Sequence, residues 1–248
     1  MLSFLSLASG SKGNATLVYD ETTVLLFDMG VTKSLLVEGL EEIGKTLTDI
    51  RAVFLTHEHN DHVKGLCYIP KEIPIYFSTG TLKVKEGQRV GQKQEVGDFI
   101  VTSFKTSHDA HNPVGYKIEN RGEILVFITD TGFLPLKTVH ALANPDYLIL
   151  EANHDVRMLI ESDRSDWLKH RILSKRGHLS NEQSAEIAID LIGEKTKKVY
   201  LCHRSEECNT EEKIVETYQR VFEEYGLVYE PDRFVILQQR RFTRGGDQ

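Results

Sequence analysis

The stretch Thr56-His57-Glu58-His59-Asn60-Asp61-His62 constrains this chain more than any other, because three imidazoles and an aspartate fall within six residues. It directly follows Ala52–Thr56, a short apolar run that reads as a buried strand, so ligand-type side chains emerge at a strand's carboxyl end. Residues two apart in an extended chain point the same way, so His57 and His59 can grip one cation together. Asp61 and His62 come next as the chain turns and can face a second position beside the first. Imidazole nitrogen with carboxylate oxygen suits zinc, manganese or iron, and is too nitrogen-rich for calcium. The bland alternative is a solvated polar loop. It requires three of the chain's ten histidines to meet by chance in that window.

The remaining sequence narrows what can surround such a cluster. In 248 residues, Lys+Arg 30 against Asp+Glu 37 leave a formal charge of −7, which excludes coating nucleic acid by bulk charge but allows a local basic patch. The hydrophobic share of 40% fits a folded domain, and no apolar run approaches the roughly 18 residues of a membrane span. Met1–Ala8 lacks a basic start and a small-residue cleavage site, so it reads as a first strand and not as a signal peptide. Cys67, Cys202 and Cys208 form no C-x-x-C pair, which points to a reducing, cytoplasmic setting. With no linker-like segment, the expectation is one domain over residues 1–248, with a second half starting near Gly122.

Along the chain, Ala15–Tyr19 and Val24–Asp28 predict a hairpin, and Leu35, Leu36, Leu40 and Ile43 predict a helix closed by Gly44. Strands are expected at Ala52–Thr56, Ile73–Phe77, Phe99–Lys105, Val114–Glu119, Glu123–Thr129, Tyr147–Leu150, Val199–Cys202 and Phe234–Gln238. Ser180 three residues before Gln183 has capping-box spacing and opens a helix to about Ile192; a second, amphipathic helix spans Thr210–Tyr225. The order is not the strict βαβα alternation of a doubly wound sheet. A two-sheet α/β sandwich with helices outside fits better.

His-x-His-x-Asp-His after a strand resembles the signature of the metallo-β-lactamase superfamily. That resemblance covers nearly the whole chain and implies a four-layer αββα sandwich with a site for two divalent metal ions. In family order it implies His57, His59 and His108 on one metal, Asp61, His62 and His203 on the other, and Asp130 bridging. His108, Asp130 and His203 each come after an expected strand. Asp28 matches an aspartate that supports such sites from behind the ligands. Asp130 also argues against common β-lactamase activity, which places a cysteine at that position.

Two cations about 3.5–4 Å apart can share a hydroxide and clamp the oxygens of an in-line displacement. That chemistry serves phosphodiesters, thioesters and lactams alike, so the ligands do not fix the substrate. Gly177-His178-Leu179-Ser180 lies between Asp130 and His203, where tRNase Z-like phosphodiesterases carry a proton-donating histidine. Asp61 and His178 are therefore the candidate catalytic residues, with Glu151 a possible partner of His178. In Ser9-Gly10-Ser11-Lys12-Gly13-Asn14, backbone amides with Ser11 and Asn14 could cradle a phosphate. Arg164, Lys169, Arg171, Lys175 and Arg176 form a basic stretch leading into His178, so Arg171, Lys175 and Arg176 are candidate contacts to a phosphate backbone. Trp167, within it, reads either as a core anchor or as a base-stacking surface.

Taken together, the motifs at 7–14, 56–62, 107–116, 150–155 and 176–182 resemble the YycJ (WalJ) subfamily. The resemblance implies a DNA exonuclease working from 5′ to 3′. Two departures stand out: Arg204 after His203, and His111, where a small residue is usual. The competing reading is a small-molecule hydrolase, either a cyclic phosphodiesterase or a glyoxalase II-like thioesterase.

Overall fold

The structure, a computed structural model, describes residues 1–82 and 91–246. The chain runs β1 (Ser3–Ala8), β2 (Ala15–Tyr19), β3 (Val24–Phe27), α1 (Lys33–Glu42), β4 (Ile50–Phe54), α2 (Asn60–Val63), β5 (Ile75–Tyr76), β6 (Lys93–Val96), β7 (Phe99–Lys105) and β8 (Val114–Asn120). It continues through β9 (Glu123–Ile128), α3 (Leu136–Leu142), β10 (Tyr147–Glu151), α4 (Val156–Glu161), α5 (Asp166–Leu173) and α6 (Asn181–Leu191). The last elements are β11 (Lys198–Cys202), α7 (Glu211–Glu224), β12 (Phe234–Ile236) and β13 (Thr243–Gly246). These elements fall into two compact units, one of Met1–Lys105, Ala110–Ile124 and Leu237–Gln248, the other of Thr106–Asp109 and Leu125–Ile236. The chain passes between them at 105/106, 109/110, 124/125 (inside β9) and 236/237.

In the first unit a sheet runs in the order β13-β1-β2-β3-β4-β5. β3, β4 and β5 are parallel to one another and the other neighbours are antiparallel. β3 reads Val-Leu-Leu-Phe and is buried throughout, as expected of a strand covered on both faces. Leu36 and Leu40 of α1 join Leu5, Leu7, Leu17 and Leu26 in one cluster. The helix approaches so closely that a Cβ at Gly39 would lie 2.2 Å from Leu7 Cδ2. Elsewhere Phe27 stacks on Phe54 with ring centres 5.2 Å apart, and Tyr116 of β8 meets Phe27 edge-on at 5.3 Å. β6, β7 and β8 form an antiparallel meander.

In the second unit β9, β10, β11 and β12 are parallel. α6 opens with the Ser180/Gln183 capping box, as its spacing predicts. α7 buries Ile214, Thr217, Tyr218, Val221 and Phe222 at helical spacing. Parallel strands share one carboxyl edge, and residues just beyond that edge are free of the ladder. That topology gathers the residues immediately past β9, β10 and β11 in the second unit, and those immediately past β3 and β4 in the first.

Several expectations shift. β4 ends at Phe54 and not at Thr56, because the Thr56 N–H leaves the ladder for the Asp28 carboxylate at 2.8 Å. β5 shrinks to two residues. β13 is not foreseen: Thr-Arg-Gly-Gly lacks apolar alternation and pairs with β1 through its backbone. α5 lies inside the basic stretch, where charge masks the helix, and Ser165 caps it by accepting the Leu168 N–H.

The loop that carries the histidine cluster is held by a glycine. The Gly30 N–H donates to Asn14 O at 2.8 Å, and a Cβ at Gly30 would stand 1.5 Å from Asp61 O. Gly30→Ala is expected to cost about 2–3 kcal/mol in urea unfolding. An unchanged unfolding midpoint would contradict the close approach.

Candidate metal centre

Because β3 and β4 are parallel neighbours, Asp28 and Thr56-His57 leave the sheet side by side. Asp28 is fully buried and adopts a left-handed backbone at φ 58°. Its carboxylate accepts from the Thr56 N–H and hydroxyl, and its Oδ2 lies 2.8 Å from His62 Nδ1. That bond places the His62 proton on Nδ1 and leaves Nε2 with a lone pair. His57 Nδ1 lies 3.0 Å from Thr56 Oγ1, and the His57 ring sits 4.5 Å from that of His59 and 4.2 Å from that of His62. The single turn of α2 carries Asp61 and His62 together, with Asp61 Oδ2 3.6 Å from His62 Nε2. The first unit thus gathers His57, His59, Asp61 and His62 at one sheet edge.

Asn14 is engaged there rather than open to an arriving phosphate. Its Oδ1 accepts the Gly10 N–H at 2.8 Å, and its Nδ2 reaches Gly10 O, Asp61 Oδ2 and His62 Nε2. Ser11, in the same loop, is exposed. Glu58 accepts the backbone N–H of His111 at 2.8 Å, and the exposed His111 side chain belongs to the rim of this unit.

In the second unit Asp130 and His203 lie just past β9 and β11, again in left-handed conformations at φ 48° and 55°. Asp130 Oδ1 lies 3.5 Å from His203 Nε2 and 3.9 Å from His108 Nε2. His108 Nδ1 donates to Gly177 O at 3.0 Å, leaving its Nε2 toward Asp130. Burial pushes the His108 pKa down, against the pull of Asp130. Asp109, which sequence reasoning passed over, stands 3.3 Å from the same Nε2.

Glu151, at the end of β10, ties this unit together. It is fully buried; Oε2 accepts the Thr131 and Leu179 N–H groups at 3.0 and 3.2 Å. Oε1 lies 2.7 Å from His178 Nδ1 and 2.9 Å from His203 Nδ1. Burial alone raises its pKa, but the charge of His178 and the hydrogen bonds from His178 and His203 outweigh that and hold it at about 2. Asn153 supports His203 by donating to its carbonyl at 2.8 Å. Its position in the Leu-Glu-Ala-Asn-His-Asp motif was the available signal.

The donors suit divalent ions. His62, His108 and His203 each direct Nδ1 to an oxygen and keep Nε2 as the lone-pair nitrogen, and the carboxylates of Asp61 and Asp130 lie beside them. Within the second unit, Asp130, Glu151, His178 and His203 offer ligand atoms that all lie within 4.8 Å of one another. Cys202 is a packing residue: its thiol is buried beside Ile128 O, with its pKa pushed well up by burial.

The basic stretch is less open than its composition suggests. Arg171 pairs with Asp109, Arg164 with Glu207 at 3.0 Å, and the Lys175 ammonium sits 5.3 Å over the Phe133 ring. Arg176 Nε donates to His108 O at 3.4 Å. Trp167 is 72% exposed, which settles against a core anchor.

His154 is buried, and among the described residues neither ring nitrogen has a hydrogen-bond partner. Burial holds its pKa down at about 4. Protonation therefore favours the unfolded chain between pH 6.5 and 4, and stability falls as pH drops through that window. The wild type is expected to lose about 3 kcal/mol more than His154→Leu across it, by urea unfolding at stepped pH. Parallel profiles would contradict this.

The chain matches the Beta-lactamase superfamily domain over residues 25–203. The exodeoxyribonuclease WalJ of Streptococcus pneumoniae (strain D39) is 35% identical over 222 residues, covering 83% of this chain and 82% of that protein. The exodeoxyribonuclease YycJ of Bacillus anthracis is 34% identical over 241 residues, covering 91% of each. The metallo-β-lactamase fold protein YhfI of Bacillus subtilis superposes with a TM-score of 0.71 over 98% of this chain and 99% of that one, at 17% identity, which speaks for the fold alone. Among the described residues no helix is long and apolar enough to cross a membrane. The chain belongs to the β-lactamase superfamily, as a metallo-β-lactamase-fold, metal-dependent hydrolase related over most of its length to the exodeoxyribonucleases WalJ and YycJ.

Proposed function

We propose that the chain is a DNA exonuclease that digests from the 5′ end, using two divalent ions of zinc, manganese or iron. His57, His59 and His108 are assigned to one ion, Asp61, His62 and His203 to the other, and Asp130 to both. The likeness to two exodeoxyribonucleases supports DNA as the substrate class. When bound, such a pair of ions lowers the pKa of water and neutralises charge on phosphoryl oxygens.

The observation that carries the reaction type is the Glu151–His178 pair. His178 is held through Nδ1 by an ionised, buried carboxylate, while its side chain remains 17% exposed beside Asp130. Its Nε2 is then available to give a proton to a leaving oxygen, and Glu151 stabilises the imidazolium before transfer. In release of a nucleotide from a 5′ end, water adds to phosphorus, the P–O3′ bond breaks, and O3′ takes the His178 proton. Asp61, 25% exposed, is assigned to receive the proton that water gives up. Arg171, Lys175 and Arg176 lie on the segment leading to His178 and are assigned to the phosphate backbone, with Arg171 exchanging Asp109 for a phosphate. Ser11 is assigned to a neighbouring phosphate, and Asn14 to holding the loop that presents it.

His178→Ala is expected to lower turnover of 5′-phosphorylated single-stranded DNA by at least about 100-fold while metal content stays unchanged. Glu151→Gln is expected to lower both turnover and metal affinity by about 10–100-fold, as loss of a ligand-orienting carboxylate does. Full activity of His178→Ala removes the proton-donor role. Turnover of bis-(p-nitrophenyl) phosphate or S-lactoylglutathione with no attack on DNA replaces the proposal with a small-molecule hydrolase.

A further inference from the structure

The first unit holds a cavity of about 430 Å³ lined by none of its metal-ligating side chains. Its apolar lining comes from Ala8, Val31 and Leu35, beside Gly13 and Gly30. Neither glycine can gain a side chain. A Cβ at Gly13 would lie 2.3 Å from Gly30 O, and Gly30 is closed off by Asp61 O. These contacts pack the two glycines against neighbouring backbone and fix the position of this side of the cavity, whose aliphatic groups suit an apolar ring.

The rim is cationic. Lys12, Lys64 and Arg240 line it against the single carboxylate of Glu38. Cationic side chains of this kind suit a phosphate monoester, which carries nearly two negative charges at neutral pH. Lys64 is fixed in place, its ammonium donating to Lys12 O at 2.6 Å. The volume lies within the range of sites for small molecules and cofactors.

The wall is also the backbone that carries a metal-ligand candidate. Asn14 N–H donates to Asp61 O at 2.8 Å, Gly30 N–H to Asn14 O at 2.8 Å, and Lys64 directly follows α2 with its Asp61 and His62. An occupant would therefore press on the segment that positions those two side chains.

We infer that this cavity binds a deoxynucleoside 5′-monophosphate, with its base against Ala8, Val31 and Leu35 and its phosphate at Lys12, Lys64 and Arg240. The choice of nucleotide rests on the exonuclease reading, since this is the product that digestion from a 5′ end releases.

Isothermal titration of the full-length protein with dAMP tests this, before and after treatment with EDTA. The expected result is that dAMP binds in both states, about tenfold or more weaker in the Lys64→Ala/Arg240→Ala double variant, and that deoxyadenosine without its phosphate binds similarly weakly. Circular dichroism and metal content should be unchanged in the variant. Binding that disappears with EDTA and ignores the double variant places the nucleotide on the metal-ligating residues and overturns the inference, as does absence of binding at millimolar dAMP. DNA digestion assayed alongside separates the two readings. A protein that binds dAMP at this rim but leaves DNA intact keeps the cavity and loses the exonuclease, and one that digests DNA without such binding does the reverse.

Discussion

A single buried carboxylate organises the imidazole cluster of the second unit. Glu151 accepts from two backbone amides and two imidazoles, drawn from the loop after β9, the segment before α6 and the end of β11. An ion this deeply buried is costly to keep charged unless every oxygen is satisfied, and here four donors do so. The same bonds that stabilise the charge also fix the orientation of His178 and His203. Stability of the segment and readiness of its imidazoles therefore have one source, and neutralising Glu151 disturbs both.

Asp28 plays a comparable part in the first unit, binding Thr56 and setting the tautomer of His62. Asp28, Asp130 and His203 all adopt left-handed backbones just past strand ends. Such a conformation costs on the order of 1–3 kcal/mol at each non-glycine residue, and Asp and His tolerate it better than most. At a strand's carboxyl end it turns the side chain sharply away from the ladder, which an extended residue could not do. Strain at these three positions is the structural cost of aiming the donors.

Much of this was legible in the sequence, because its signals are local. The cluster at 57–62 comes directly after one strand, and the expected strands before His108, Asp130 and His203 form with small shifts at their ends. The capping box of α6 and the glycine after α1 are likewise set by neighbours in the chain. What the sequence hid needs partners distant in the chain. The four donors to Glu151 span residues 131 to 203, and Asp109 acquires meaning only beside Arg171 and His108. β13 pairs through backbone groups that have no side-chain pattern. The basic run at 164–176 looked like an open patch because composition records charges but not their counter-charges, and Asp109 and Glu207 supply those.

Function here turns on whether the imidazoles tuned by Asp28 and Glu151, with His57, His59, Asp61, His108 and Asp130, hold two ions at once. Native mass spectrometry of the intact chain, coupled to elemental analysis, tests this most directly. Two divalent ions per wild-type chain, falling to one in His203→Ala with the fold preserved, is the predicted result. A fully active wild type that holds one ion or none would contradict it.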